Sequence, residues 1–127
     1  VIKRNHKLPS SYPIAIENKF QDLSKTKEII NVLNNIGLKE ELSRLTKKVR
    51  AGRGKSRGRR YRHNLGPLIV VSDKCKLMKA AENILGINVV QVNKLNAELL
   101  APGAVAGRLT IFTEGAIEKL QKENLFI

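Results

Sequence analysis

The sequence predicts an α/β fold, layered α/β/α, with a mostly parallel sheet of about four strands and one long basic loop. Three observations predict it. Leu68-Ile69-Val70-Val71 is a continuous apolar run, the pattern of a strand buried on both faces of a parallel sheet. Short apolar runs of this kind alternate with segments whose apolar residues recur at three- and four-residue spacing, the order expected of strand–helix–strand units. Between Arg44 and Ser72, in contrast, ten basic residues and no acid leave no periodicity able to bury a face.

The elements follow in order. After the Pro9 to Pro13 turn region, Ile14-Ala15-Ile16 is a short strand. Asp22 and Ser24 offer caps for a helix carrying Ile29, Ile30, Leu33 and Ile36, and Gly37 stops it as the residue after the C-cap. Leu38, Leu42 and Leu45 fit a further short helix leading into the basic segment. Beyond the 68–71 strand, Ser72 or Asp73 caps a helix with Leu77, Met78, Ala81, Ile84 and Leu85 on its inner stripe, ending at Gly86. Residues 88–92 form the next strand and 93–100 a short helical turn, broken by Pro102-Gly103. Residues 108–112 are a strand, and Thr113 caps a last helix through Ile117 and Leu120. Met78 and the Ile stripes belong to the core. No internal repeat or linker divides the chain, so residues 1–127 form a single domain.

At 127 residues the chain can bury roughly two-thirds of the surface its unfolded form exposes. Aromatic residues make up only 4% and Trp is absent, so that core is aliphatic. No run approaches the roughly 20 apolar residues of a membrane span. The charges of Val1 to Lys7 precede no apolar stretch of the kind a secretory signal carries, and no initiator Met is present, as in a processed or partial chain. Cys75 stands alone, without the partners that a disulfide or a zinc site needs, and reads as a small buried hydrophobe.

Net charge is +13, from 24 Lys and Arg against 11 Asp and Glu. Without the ten cations between Arg44 and Ser72, 14 positive and 11 negative charges remain, a net of +3. The imbalance therefore lies in one dedicated element, and polyanions are its natural partners. Within it, Arg50 to Gly66 reads RAGRGKSRGRRYRHNLG. Its glycines permit close backbone approach, and its arginines supply forked donors matched to phosphate. Tyr61, between Arg60 and Arg62, is placed to stack on an unpaired base. A loop over 46–66 spans at most about 70 Å fully extended, and loops so long inside a compact domain are functional or disordered.

Enzymatic readings find little support. Gly54-Lys55-Ser56 resembles the end of a phosphate-binding loop, but the motif needs Gly at position 49, where Val49 stands. The glycines at 52, 54 and 58 resemble a dinucleotide turn, yet no strand precedes them and Arg53, Lys55, Arg57 and Arg59 crowd it. His6 and His63 lie in basic surroundings with no carboxylate nearby in sequence, as solvated side chains or nucleic-acid contacts. Glu40, Glu41 and Glu114 read as helix-surface or first-turn acids. No serine elbow or metal constellation is present. Catalytic residues, cofactors, metals, a membrane and a small-molecule substrate are therefore not expected.

Five stretches together resemble the fourth universal large-subunit ribosomal protein in its archaeal and eukaryotic form. They are SKTKEIINVLNNIG (24–37), RAGRGKSRGRRYR (50–62), GPLIVV (66–71), LNAELLAPG (95–103) and GRLTIFTEGAIEKL (107–120). The arginine-glycine loop and the LAPG to GRLTIFTE ending are the specific ones. With no long extension after Ile127, the archaeal form fits better. Members of that family are roughly twice as long, so the resemblance implies the carboxyl-terminal part of such a protein. A front half bearing an initial strand and a tunnel-reaching loop would then be absent, and the sheet would keep an exposed edge. It further implies a structural, non-enzymatic constituent of the large subunit, located on cytoplasmic ribosomes, that binds ribosomal RNA, meets neighbouring large-subunit proteins and supports assembly and translation. Binding to its own messenger RNA is the alternative; a nucleotide-binding α/β enzyme is a remote one. The RNA-binding residues expected are Lys47, Lys48, Arg50, Arg53, Lys55, Arg57, Arg59, Arg60, Tyr61, Arg62 and His63. Lys3, Arg4, His6 and Lys7 form a secondary patch, and Arg108 is either a further contact or a structural turn residue.

Overall fold

The computed structural model describes residues 1–126. Six strands and five α-helices follow in chain order: β1 (Ile14–Ile16), α1 (Thr26–Asn35), α2 (Lys39–Arg44), β2 (Lys47–Val49), β3 (Tyr61–His63), β4 (Leu68–Val71), α3 (Lys76–Ala81), β5 (Asn88–Gln91), α4 (Ala97–Leu100), β6 (Thr110–Thr113) and α5 (Glu114–Lys122). Strands β1, β6, β4 and β5 make a four-stranded sheet in that spatial order, and every pairing in it is parallel. Central β4 is buried at all four positions, as its unbroken apolar run requires.

Alternation along β4 separates two cores. Ile69 and Val71, with Ile111 of β6, face Ile29 and Leu33 of α1, Leu77 and Ala81 of α3, and Leu38. Leu68 and Val70 face the opposite way, against Val92 and Ala116, with Leu99 and Leu120 packed alongside. Helices thus cover both faces of the sheet, the expected three-layer arrangement. Met78, expected in the core, is only half-buried and lies outside both clusters.

Helix ends depart from the caps read in the sequence. For α1 neither Asp22 nor Ser24 is the cap; residues 18–22 form a 3-10 turn that buries Phe20, and Lys25 occupies the N-cap. Its other end does behave as expected. Gly37 adopts φ +94°, and the Leu38 amide bonds back to the Leu33 carbonyl at 3.0 Å. Helix α3 starts after Cys75, because Ser72 donates to Gln21 (3.2 Å) and Asp73 pairs with Lys119 (2.7 Å). It ends at Ala81, and the chain reaches Gly86 through tight turns. Thr113 holds the N-cap position of α5, but its hydroxyl bonds the Val70 carbonyl. Asn18 does the capping instead, accepting from the Gly115 amide at 2.7 Å.

The largest departure concerns the basic segment. Rather than an irregular loop, it is a two-stranded antiparallel ribbon of β2 and β3, separate from the main sheet. The Gly54-Lys55-Ser56 triplet lies in a 3-10 turn at the ribbon's tip (Arg53–Ser56). A phosphate-binding loop would instead lead from a parallel strand into a helix.

A cationic ribbon on a buried ionic base

The ribbon's register sorts its side chains onto two faces. Lys47 lies opposite His63, Lys48 opposite Arg62 and Val49 opposite Tyr61; the Arg50 amide then bonds the Arg60 carbonyl at 2.9 Å. Since alternate residues point to opposite sides of a strand, Lys48, Arg50 and Arg62 share one cationic face, while Arg60, just before β3, brings its guanidinium to 5.7 Å from the centroid of the Tyr61 ring. The other carries Lys47, Val49, Tyr61 and His63. There the Lys47 ammonium sits 4.0 Å from the centroid of the Tyr61 ring, a cation–π contact across the diagonal. At the tip Arg53, Lys55, Arg57 and Arg59 are all exposed.

Among the described residues no carboxylate lies within salt-bridge distance of any cation from Lys47 to Arg62. Lys48 and Arg62 face each other directly, and like charges in that position oppose pairing. A two-stranded ribbon of three-residue strands without a buried face is itself only marginally stable. An external polyanion would relieve both problems.

The base is built in the opposite way. His6 and Glu41, expected at the surface, are buried, and the Glu41 side chain is fully enclosed. Glu41 accepts from His6 Nδ1 at 2.6 Å and from the Lys7 amide at 2.8 Å. It also takes both prongs of Arg44, at 2.9 Å from Nε and 2.6 Å from Nη2. His6 Nδ1 therefore carries its hydrogen toward the carboxylate. Arg44 Nη2 reaches on to the Leu65 carbonyl at 2.7 Å, and the Asn64 amide returns to the Arg44 carbonyl at 2.9 Å. This network ties the end of α2 to the chain leaving β3, so it sets where the ribbon emerges. Arg44, counted among the ten cations in the sequence, is thus spent internally.

Burial alone would raise the Glu41 carboxyl. The bonds from His6, Arg44 and the Lys7 amide outweigh it and hold the group at about 2, against an ordinary 4.5. A depressed carboxyl stabilises the fold above its unfolded value, and that stability drains away as pH falls through the folded value. We expect about 3 kcal/mol of stability to be lost between roughly pH 5 and pH 2 through this group. Urea unfolding across that range checks it; a Glu41→Gln variant should show a flatter profile.

Arg108 is a second buried cation, and its side chain is directed inward. It donates to the Gly66 carbonyl (2.9 Å), Asn88 Oδ1 (2.5 Å) and the Leu99 carbonyl (3.3 Å). Burial, and then the nearby charge of Arg4, push its pKa down. Gly66 also donates to the Gly86 carbonyl at 2.8 Å. Gly86 has φ +76°, and a Cβ there would lie 2.6 Å from the Asn64 carbonyl oxygen, so the ribbon's exit admits no side chain. In the secondary patch, Arg4 is half-buried and donates to the carbonyls of Pro102 (2.9 Å) and Val105. Only Lys3 and Lys7 of that patch keep exposed side chains.

Among the described residues no group of three His, Cys, Asp or Glu side chains could hold a metal, and no helix is long and apolar enough to cross a membrane.

Residues 6–123 match the model of the ribosomal protein L4/L1 family. The large ribosomal subunit protein uL4 of Methanoregula boonei is 46% identical over 123 residues, covering 95% of this chain and 49% of that protein. The same protein of Methanocaldococcus jannaschii is 43% identical over 112 residues (87% and 44%), and that of Methanococcus vannielii 41% over 126 residues (96% and 50%). The chain spans about half the length of the curated relatives it matches.

Proposed function

Since the chain belongs to the ribosomal protein L4/L1 family, we propose that it is a structural, non-enzymatic constituent of the large ribosomal subunit. Its ribbon grips ribosomal RNA in the assembling, cytoplasmic ribosome, where neighbouring large-subunit proteins are its other partners. The observation that carries this reading is the set of nine exposed cations from Lys47 to Arg62, with which no carboxylate among the described residues pairs. Lys48, Arg50, Arg60 and Arg62 bind phosphates along the ribbon. Arg53, Lys55, Arg57 and Arg59 reach a further stretch of backbone at the tip. Tyr61, whose ring has Lys47 at 4.0 Å and Arg60 at 5.7 Å from its centroid, stacks on a base, and His63 sits beside that contact. Lys3 and Lys7 add charge near the base. His6 and Arg108 act indirectly, by fixing the ribbon's root.

Six to eight phosphate contacts give a slope of log affinity against log salt of roughly −4 to −7. Titration of a large-subunit ribosomal RNA fragment across a series of salt concentrations measures it. A slope near zero would refute the grip. Phosphate contacts position a protein without reading sequence, so competition between ribosomal RNA and the protein's own messenger RNA tests the regulatory alternative.

A further inference from the structure

The main sheet has two poles, and the ribbon uses only one. Gly66, Gly86, Asn88 and Arg108, which anchor the ribbon's exit, all lie at the amino-terminal ends of β4, β5 and β6. At the carboxyl ends the chain leaves β4 for α3 on one face and β6 for α5 on the other. From β4 the path runs first to β5 on one side and then to β6 on the other. Adjacent parallel strands whose connections diverge in this way open a crevice, the usual ligand position in such sheets.

That crevice is present. A cleft of about 840 Å³ lies there, bounded by Ser72 after β4 and Gly115 after β6. Lys19, Lys74, Lys76 and Lys79 line it, against a single lining acid, Asp22. Asp73, the other nearby acid, is occupied by Lys119 at 2.7 Å. Lys19 has only a 4.0 Å contact with Glu17, both side chains being well exposed. Lys74, Lys76 and Lys79 have no carboxylate within salt-bridge distance among the described residues. Lys76 and Lys79 stand three apart on α3, where like charges repel. The cleft is thus open, mixed in polarity and rich in cations, with four lysines to one acid.

We propose that this cleft is a second phosphate-binding site, filled by the backbone of an RNA segment distinct from the one the ribbon grips. The inference rests on the RNA-binding reading above. Strands of four residues separate the poles by about 13 Å before any loop is counted, so the two contacts fall on different stretches of RNA. The domain then acts as a spacer that holds two stretches apart.

Lysine acylation read by mass spectrometry tests the cleft and the ribbon in one measurement. In the free chain Lys47, Lys48, Lys55, Lys74, Lys76 and Lys79 should all react, with Lys27 and Lys39 as references. Adding in vitro transcribed large-subunit ribosomal RNA should slow both groups, and the references little. A Lys74→Gln/Lys76→Gln/Lys79→Gln variant should bind that RNA with a salt slope less negative by about 2 to 3. Protection of the ribbon lysines with Lys74, Lys76 and Lys79 still reactive would overturn the second site and leave the ribbon reading intact. Protection of neither group would overturn both. Protection of the cleft by adenosine triphosphate or inorganic phosphate, but not by RNA, would overturn the RNA assignment in favour of a small phosphate ligand.

Discussion

Replacing Glu41 by Ala should destabilise the domain by about 3–5 kcal/mol, the cost of leaving one partner of a buried ion pair uncompensated. Both prongs of Arg44, the ring N–H of His6 and the Lys7 amide would lose their acceptor together. In a domain of this size the loss lowers the melting temperature by on the order of 10–20 °C. An Arg44→Lys variant should cost less, because lysine keeps the charge but not the two-pronged geometry. Thermal unfolding of the three proteins at pH 7 checks the order. If Glu41→Ala melted with the wild type, the network would be an incidental surface pair and would not set the ribbon's root.

Replacing Arg57, Arg59 and Arg60 by Ala should have its large effect on binding. Three lost phosphate contacts make the salt slope less negative by about 2 to 3, and all three side chains are exposed, so the melting temperature should hardly move. Tyr61→Ala should instead weaken binding to unpaired RNA, by about 1–3 kcal/mol for a lost stack, with the slope unchanged. The two variants thus separate charge from stacking within one ribbon. A melting temperature that fell sharply in the triple variant would make the tip part of the core, and the grip would need another home.

Much of the body was legible because burial writes itself into sequence. The apolar run at 68–71 announced a central parallel strand, and the spacing of Ile29, Leu33 and Leu77 announced the helices that cover it. Residues that work without burying anything left less trace. β2 and β3 pair through their backbones, and their side chains are all exposed, so neither periodicity marks them. The basic segment was visible as charge but not as a ribbon with two unlike faces. The His6–Glu41 pair was missed because its members are far apart along the chain, one beside basic residues and the other beside an exposed acid. A histidine close to a proline-rich turn and an acid at a helical position flanked by Leu38, Leu42 and Leu45 were the only hints. Caps were missed for a similar reason. Asn18 reaches the start of α5 across the fold, and nothing near Thr113 in the sequence points to it.

Pairing of β1 with β6 joins Ile14 to Ile111, nearly opposite ends of the chain. The ribbon, in contrast, closes a short hairpin between neighbours. Closing distant segments is entropically slow, whereas hairpins form in microseconds. During synthesis β1 must wait for β6 to emerge before its partner exists, while the two strands of the ribbon emerge close together. The two strands of the ribbon can therefore meet before the sheet that carries them is complete.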